Sequence, residues 1–333
     1  MPDRVEPQQL AIHDTSPVVE GSTAAESLQR SVELARVGDR LGFGRYWAAE
    51  LHGMRAVAGC APAVLAGIVA SRTTRIRVGA GGVLLPHHSP LVVSEQFGTL
   101  EALHPGRIDL ALGRGAGGPK AARAVVSGDR DESLPAFSAQ VDRLCAYFRS
   151  EAVETVRSTP GFGNEPQLWL LGGSAGSARL AAEKRLPYAF GGFYNRDPTA
   201  PAAVEDYRGP AGREGWSPRL GIWVGVIAAD TADEAEYVAG PHRLKAVSKK
   251  VWGRTIRLPS AAAAAEYRAT GPDETAAYHR ATEGYVIGDG ADVRRRLAEL
   301  RESTGADELI VRTPASDHAA RLRSFRLLVG DDR

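Results

Sequence analysis

The sequence predicts a single (β/α)8 barrel, an α/β fold of the TIM-barrel class, and three observations carry that prediction. Short β-branched runs alternate with stretches of helical spacing along the whole chain. The alternation repeats eight times, and 333 residues is a length that such barrels reach undivided. A doubly wound sheet, the main competitor, would place G-x-G-x-x-G after its first strand, and residues 15–27 contain no such run. No period-level self-similarity points to a solenoid.

The elements follow in order. QQLAIHD (8–14) is a short strand that ends in polar residues. Ser22-Thr23 with Glu26 offers a cap and a first-turn acid, and Leu28, Val32, Leu34, Ala35, Val37 and Leu41 then recur at helical spacing. Gly42 and Gly44 close that helix and feed the strand RYWAAE (45–50). An Ala-rich helix over about 61–71 leads to RIRVGAGGVLL (75–85), a strand interrupted by glycines. Ser89 and Pro90 start the next helix, SPLVVSEQFGTLEAL (89–103). After the turn His104-Pro105-Gly106 comes the strand RIDLALGRG (107–115). Helix 133–148, strand 166–173, helix 174–185 and strand 187–193 repeat the scheme. RLGIWVGVIAAD (219–230) is the strongest strand; a capped helix from 231, a helix over 289–303, the strand DELIVRTP (307–314) and a helix near 316–329 complete the set. The whole chain, 1–333, is read as one domain. Segments 197–218 and 240–282, after strands six and seven, exceed a minimal barrel and are expected to be insertions that form a pocket wall or lid.

Composition excludes several functions. Lys+Arg 41 against Asp+Glu 40 gives a net charge of +1, so no basic surplus is available to neutralise nucleic-acid phosphates. Arg294-Arg295-Arg296, the one basic cluster, lies in a helical pattern and reads as a solvated face. The two cysteines, Cys60 and Cys145, are far apart and form no C-x-x-C, which disfavours a disulfide framework and fits a reducing cytoplasm. The N-terminus MPDRVEPQQL lacks the apolar core of a signal peptide, and the apolar runs are too short and too broken to cross a bilayer. The expectation is a cytoplasmic protein without membrane or nucleic-acid partners.

In a barrel, function collects where strands end. Strand one delivers His13 and Asp14, strand two Glu50-Leu51-His52, and strand three Gly79 to Gly82. Strand four delivers Gly113-Arg114-Gly115, strand five Gly172-Gly173-Ser174, and strand six Gly191 to Asn195. Glycines crowd four of these six mouths, which leaves bare backbone for a large flat ligand. LGGSAGSARL (171–180) sets a Gly-rich turn at a helix start, where amides and the hydroxyls of Ser174 and Ser177 suit a phosphate. Arg114, from the neighbouring strand, could clamp the same phosphate.

These stretches resemble the bacterial luciferase-like flavin-dependent monooxygenases. RYWAAELH, TRIRVGAGGVLLPHHSPLVVSEQFGTLEALHPGRIDLALGRG, PQLWLLGGSAGSARLAAEKRLPYAF and GADELIVRTP carry the likeness, in order, from about residue 9 to 328. It is closest to the branch met in actinobacterial antibiotic pathways. The resemblance implies a barrel, usually homodimeric, that binds reduced FMN delivered by a separate flavin reductase. It also implies that O2 is activated as a flavin C4a-peroxide, which attacks a small organic or secondary-metabolite substrate. The helix at about 90–102 resembles the family's interface helix. Gly81-Gly82 matches a non-proline cis peptide that supports the flavin ring, Arg114 matches the phosphate-binding arginine, and Gly172, Gly173, Ser174 and Ser177 match the phosphate loop. Gly113 stands where luciferase has a cysteine beside flavin C4a.

One departure matters. The family motif Glu-His-His is here Glu50-Leu51-His52, so Leu51 replaces the histidine that is catalytic in luciferase and cannot move a proton. Glu50 and His52 remain catalytic candidates, with hydrogen bonding at the mouth the expected role, and His13, with Asp14, becomes the candidate for general acid/base work. Asp14, Leu51, Phe193, Tyr194, Trp223 and Trp252 are candidates for the substrate pocket. His87-His88, adjacent in a loop just past strand three, read as solvated or near an interface, and a metal site is not expected because no third ligand has suitable spacing. Two other readings stay open: a deazaflavin-dependent hydride-transfer enzyme on the same fold, and a flavin-binding relative that lost catalysis with its histidine.

Overall fold

The structure, a computed structural model, describes residues 5–115, 117–128, 130–191, 200–210 and 215–331. Its centre is a closed parallel barrel. Strands β1 (Leu10–Asp14), β2 (Arg45–Ala48), β3 (Arg77–Leu84), β4 (Ile108–Gly113), β5 (Gln167–Gly172), β6 (Tyr188–Phe190) and β7 (Leu220–Ala229) pair in sequence order. β9 (Glu308–Arg312) then lies between β7 and β1 and closes the ring. The expected eight-stranded barrel is therefore present. The additional β8 (Val286–Asp289) pairs parallel with the far half of β7, Val226 to Ala229, outside the barrel. Its four residues are too few to show a period in the sequence.

Helices surround the barrel, and local chemistry sets their ends. α1 (Ala24–Leu41) starts in a capping box between Thr23 and Glu26 and stops at Gly42, whose φ of 84° is left-handed. α2 (Pro62–Arg72) and α3 (Pro90–Leu103) begin with proline at the first helical position; Ser89 precedes α3 without a side-chain cap. α4 (Lys120–Ser127), a short helix not expected from the sequence, precedes α5 (Leu134–Arg149), and α6 (Ala175–Glu183) follows β5. α7 (Ala200–Arg208) buries Ala203 and Tyr207, so the segment expected to be an insertion after strand six supplies the helix that normally follows it. The segment after strand seven is a true addition: α8 (Ala232–Lys250), α9 (Ala261–Glu266) and α10 (Pro272–Arg280) precede β8 and α11 (Gly290–Thr304). α12 (His318–Leu328) ends the fold. No helix among the described residues is long and apolar enough to cross a membrane.

Strand side chains alternate in direction, so every second residue enters the barrel. At the N-terminal end the inward layer is ionic. Arg45 binds Asp109 at 2.6 Å and Glu308 at 2.6 Å, Arg77 binds Asp109 at 2.7 Å, and Arg219 also pairs with Glu308. Above it Trp47 and Trp169 meet edge to face at 5.4 Å among Ala11, Ala111, Ala189 and Ile310. Trp47 donates its indole N–H to Asp109 at 2.9 Å, joining the two layers. The barrel is thus plugged from below, and its open space lies at the C-terminal mouth.

Candidate active site

A cavity of about 460 Å³ occupies that mouth. It is bounded by His13 of β1, Glu50 and Leu51 after β2, Gly81 and Gly82 of β3, Gly113 and Arg114 at β4, Leu171 and Gly172 of β5, Gly191 after β6, Trp223 of β7 and Arg312 of β9. The glycine walls are required by packing. An added Cβ at Gly82 would lie 2.5 Å from the Ala111 carbonyl oxygen, and one at Gly81 would lie 2.6 Å from Trp47 Cβ. The Gly81-Gly82 peptide is cis, as the resemblance implies.

His13 enters the cavity beside Trp223, with ring centroids 4.3 Å apart. Its Nε2 lies 2.6 Å from the Gly81 carbonyl oxygen. A carbonyl only accepts, so Nε2 carries the hydrogen and Nδ1 keeps its lone pair, buried without a partner among the described residues. Burial, reinforced by the charge of Arg312, lowers the imidazole pKa to about 4. His13 is therefore neutral at pH 7 and committed to the Gly81 carbonyl. The acid half of the general acid/base role expected for it is absent at pH 7, while the open Nδ1 lone pair can still accept a proton.

Asp14 is also corrected. One residue along the strand, it points out of the barrel, away from His13. Its carboxylate accepts from Arg321 at 2.8 Å, Tyr46 Oη at 2.8 Å and the Ser16 amide at 2.7 Å. Burial would raise its pKa, but Arg321 and these bonds outweigh that and hold it at about 2. Asp14 joins β1 to α12 and does not reach the cavity.

Glu50 is 3% exposed and its carboxylate is filled. Oε1 accepts from His52 Nε2 at 2.8 Å and His88 Nε2 at 2.7 Å, and Oε2 accepts from the Leu84 amide at 2.9 Å. Burial opposes ionisation, yet these donors hold the carboxyl below its usual range. Glu50 thereby ties the loop after β2 to the end of β3, the anchoring function expected for it. Leu51 contributes hydrocarbon to the cavity, while His52 turns toward Glu50.

On the opposite wall β4 and β5 are paired through Leu112 and Leu170, which sets Arg114 beside Gly172, Gly173 and Ser174. Arg114 is exposed, with Nη1 donating to the Glu132 carbonyl at 3.3 Å. Ser174 caps α6 by accepting from the Ser177 amide at 3.3 Å, and Ser177 Oγ lies 2.8 Å from Tyr188 Oη. Arg114 and Gly172 border the cavity, and Gly172 leads through Gly173 into the Ser174 cap of the nine-residue helix α6; Gly173, Ser174 and Ser177 are not among the residues that bound the cavity.

Trp252 lies elsewhere: it follows α8, 40% exposed, and donates to Glu274 Oε1 at 2.7 Å. None of the described residues of 197–218 or 240–282 bounds the cavity. Phe193 and Tyr194 lie outside the described residues. Arg312 is the residue that sequence reasoning missed. The sequence carries a signal for it, because Arg312 follows the β-branched run of DELIVRTP at the mouth of the last barrel strand.

The model of the family described as luciferase-like monooxygenase matches residues 10–308. The chain belongs to the luciferase-like monooxygenase family. It is 39% identical to a luciferase-like monooxygenase of Escherichia coli over 96% of this chain and 95% of that protein. It is 31% identical to the N-acetyl-S-alkylcysteine monooxygenase of Bacillus subtilis over 96% of each. The crystal structure of apo-MsnO8 superposes with a TM-score of 0.88 at 39% identity, covering 97% of this chain and 98% of that one. This luciferase-like monooxygenase is therefore an oxidoreductase.

Proposed function

We propose that this luciferase-like monooxygenase uses reduced FMN, delivered by a separate reductase, and O2 to oxygenate a small, largely apolar secondary metabolite. The observation that carries the reading is the cavity itself: backbone walls at Gly81, Gly82, Gly113 and Gly172 run up to Arg114, and the chain passes from Gly172 into the Ser174 cap of α6. Bare backbone suits a planar ring, and the cation with the helix amides suits a phosphate dianion. These residues fit FMN. Bound reduced flavin would supply the electrons that place one oxygen atom of O2 on the substrate and reduce the other to water.

The chain's own residues do the rest. Arg114, Ser174 and Ser177 hold the phosphate. His13 fixes the Gly81 carbonyl from inside the barrel, and Glu50 fixes the β3 end from outside. Leu51, Leu84 and Leu171 exclude water, and Arg312 with Trp223 gives the substrate end one cation and one aromatic face. With Leu51 in place of histidine and His13 neutral, no side chain of the wall donates a proton from an imidazolium at pH 7. Substrate orientation and exclusion of water are the main protein contributions.

The experiment is FMN binding under anaerobic reduction, followed by reaction with 18O2 and a panel of ketones, thioethers and polyketide aromatics. Label in the product is the expected result. Binding of a reduced deazaflavin with hydride transfer, and no affinity for FMN, would overturn the reading. The homodimer implied by the resemblance has a matching surface. Leu28 of α1 and Val64 and Ile68 of α2 are exposed along one apolar groove, and Val92 and Leu103 continue the apolar surface on α3. Light scattering should give twice the chain mass, and Ile68→Lys should halve it.

A further inference from the structure

We infer that Glu50, His52 and His87 form a binding site for a zinc-class divalent cation on the outer wall of the active-site cavity. In the sequence, the adjacent His87-His88 have no third ligand at suitable spacing. The fold supplies it: one carboxylate oxygen of Glu50 and one ring nitrogen each of His52 and His87 lie within 4.8 Å of one another. His87 arrives from the short 3-10 turn Leu85–His87 that follows β3.

His87 is the independent observation. It is 6% exposed, and both its ring nitrogens are buried without a hydrogen-bond partner among the described residues. Glu132 Oε1, at 3.7 Å, is beyond hydrogen-bond range. Leaving a buried imidazole unsatisfied is costly, and a cation bound by its lone pair removes that cost. An ion here would replace the His52–Glu50 hydrogen bond, and two neutral imidazoles with one carboxylate are a donor set that zinc takes, leaving a fourth position for water or Glu132.

The surroundings are those of a ligand set held in place. His88 Nε2 and the Leu84 amide both donate to Glu50, so the carboxylate is oriented before any ion arrives. Glu132 adds a second negative charge, and its own carbonyl receives Arg114. An ion here would tie the loop after β2 to the turn after β3 and brace the segment that supports Arg114.

The test is metal analysis of the tag-free full-length chain, loaded with zinc, desalted and measured without flavin, so the outcome is independent of the proposed cofactor. About one zinc per chain is expected. His87→Gln and His52→Gln should each lower retained zinc at least tenfold, and His88→Gln should weaken zinc affinity by about 10- to 100-fold. Cobalt loaded into the wild-type chain should give the visible absorption of a four-coordinate ion, which decides the matter if His87→Gln fails to fold. No retained metal, iron in place of zinc, or full zinc retention by His87→Gln would overturn the inference.

Discussion

The two ends of this barrel treat polar groups in opposite ways. At the N-terminal end Arg45, Arg77, Arg219, Asp109 and Glu308 form a closed set of ion pairs, and Arg45 and Asp109 are essentially without solvent. At the C-terminal mouth, by contrast, His13 Nδ1, Trp223 Nε1 and Thr313 Oγ1 are buried without partners among the described residues. A buried charge is tolerated only when paired and hydrogen-bonded, so the first set has no capacity left for a ligand. Unpaired donors and acceptors keep that capacity and lower stability in return. The difference separates the end that holds the barrel closed from the end that reacts.

The strongest challenge to that contrast is Arg45→Ala. It removes the buried guanidinium that Asp109 and Glu308 share, leaving each with one partly exposed arginine, and a loss of about 3–5 kcal/mol is expected by urea denaturation. A loss below about 1 kcal/mol would mean that the sealed end is less rigid than the ion pairs indicate. At the mouth, pH provides the matching test. The folded pKa of His13, about 4, lies below the unfolded value near 6.5, so the unfolded chain takes up the proton first. Its contribution is complete above about pH 6.5 and is lost as pH falls toward 4, by at most about 3 kcal/mol. His242, lowered to about 3 mainly by burial and then by Arg312, acts in the same direction. His13→Gln should flatten part of this acid slope in denaturation curves taken from pH 7 to 4.5; an unchanged slope would place the titration elsewhere.

Smaller effects refine the picture. Arg114→Ala should weaken FMN binding by about 10- to 100-fold, the value of charge-assisted bonds to a phosphate, with little change in melting temperature. Fluorescence quenching measures the first and calorimetry the second. Ser174→Ala removes the α6 cap and should cost about 1 kcal/mol of stability, together with a modest loss of FMN affinity. If Arg114→Ala destabilised the fold as much as Arg45→Ala, the functional division between the two ends would fail.

Much of the fold was legible because it is written in short-range periodicity. Eight strand-helix alternations, Thr23 with Glu26, Pro90 and the glycine-rich strand ends are local signals, and each appears where the pattern puts it. β8 and α4 escaped because a few residues do not establish a period. The site divides along the same line. Gly81, Gly82, Gly113, Arg114, Gly172 and Leu51 border the cavity because strand ends in a closed barrel must converge.

What the sequence by itself determined is therefore the list of residues at the mouth and the family's barrel. Which way each one faces was decided by tertiary structure. His13 and Asp14 are neighbours in the chain, yet the strand's alternation sends one into the cavity and the other to Arg321, 307 positions away. Arg45 meets Glu308 across 263 positions, and His88 meets Glu50 across 38. No local pattern encodes such pairings: the first forms once the first and last strands have closed the ring, the second once β2 and β3 have paired. The same pairing of β2 and β3 brings His87 to Glu50 and His52, and turns separate histidines into one candidate cation site.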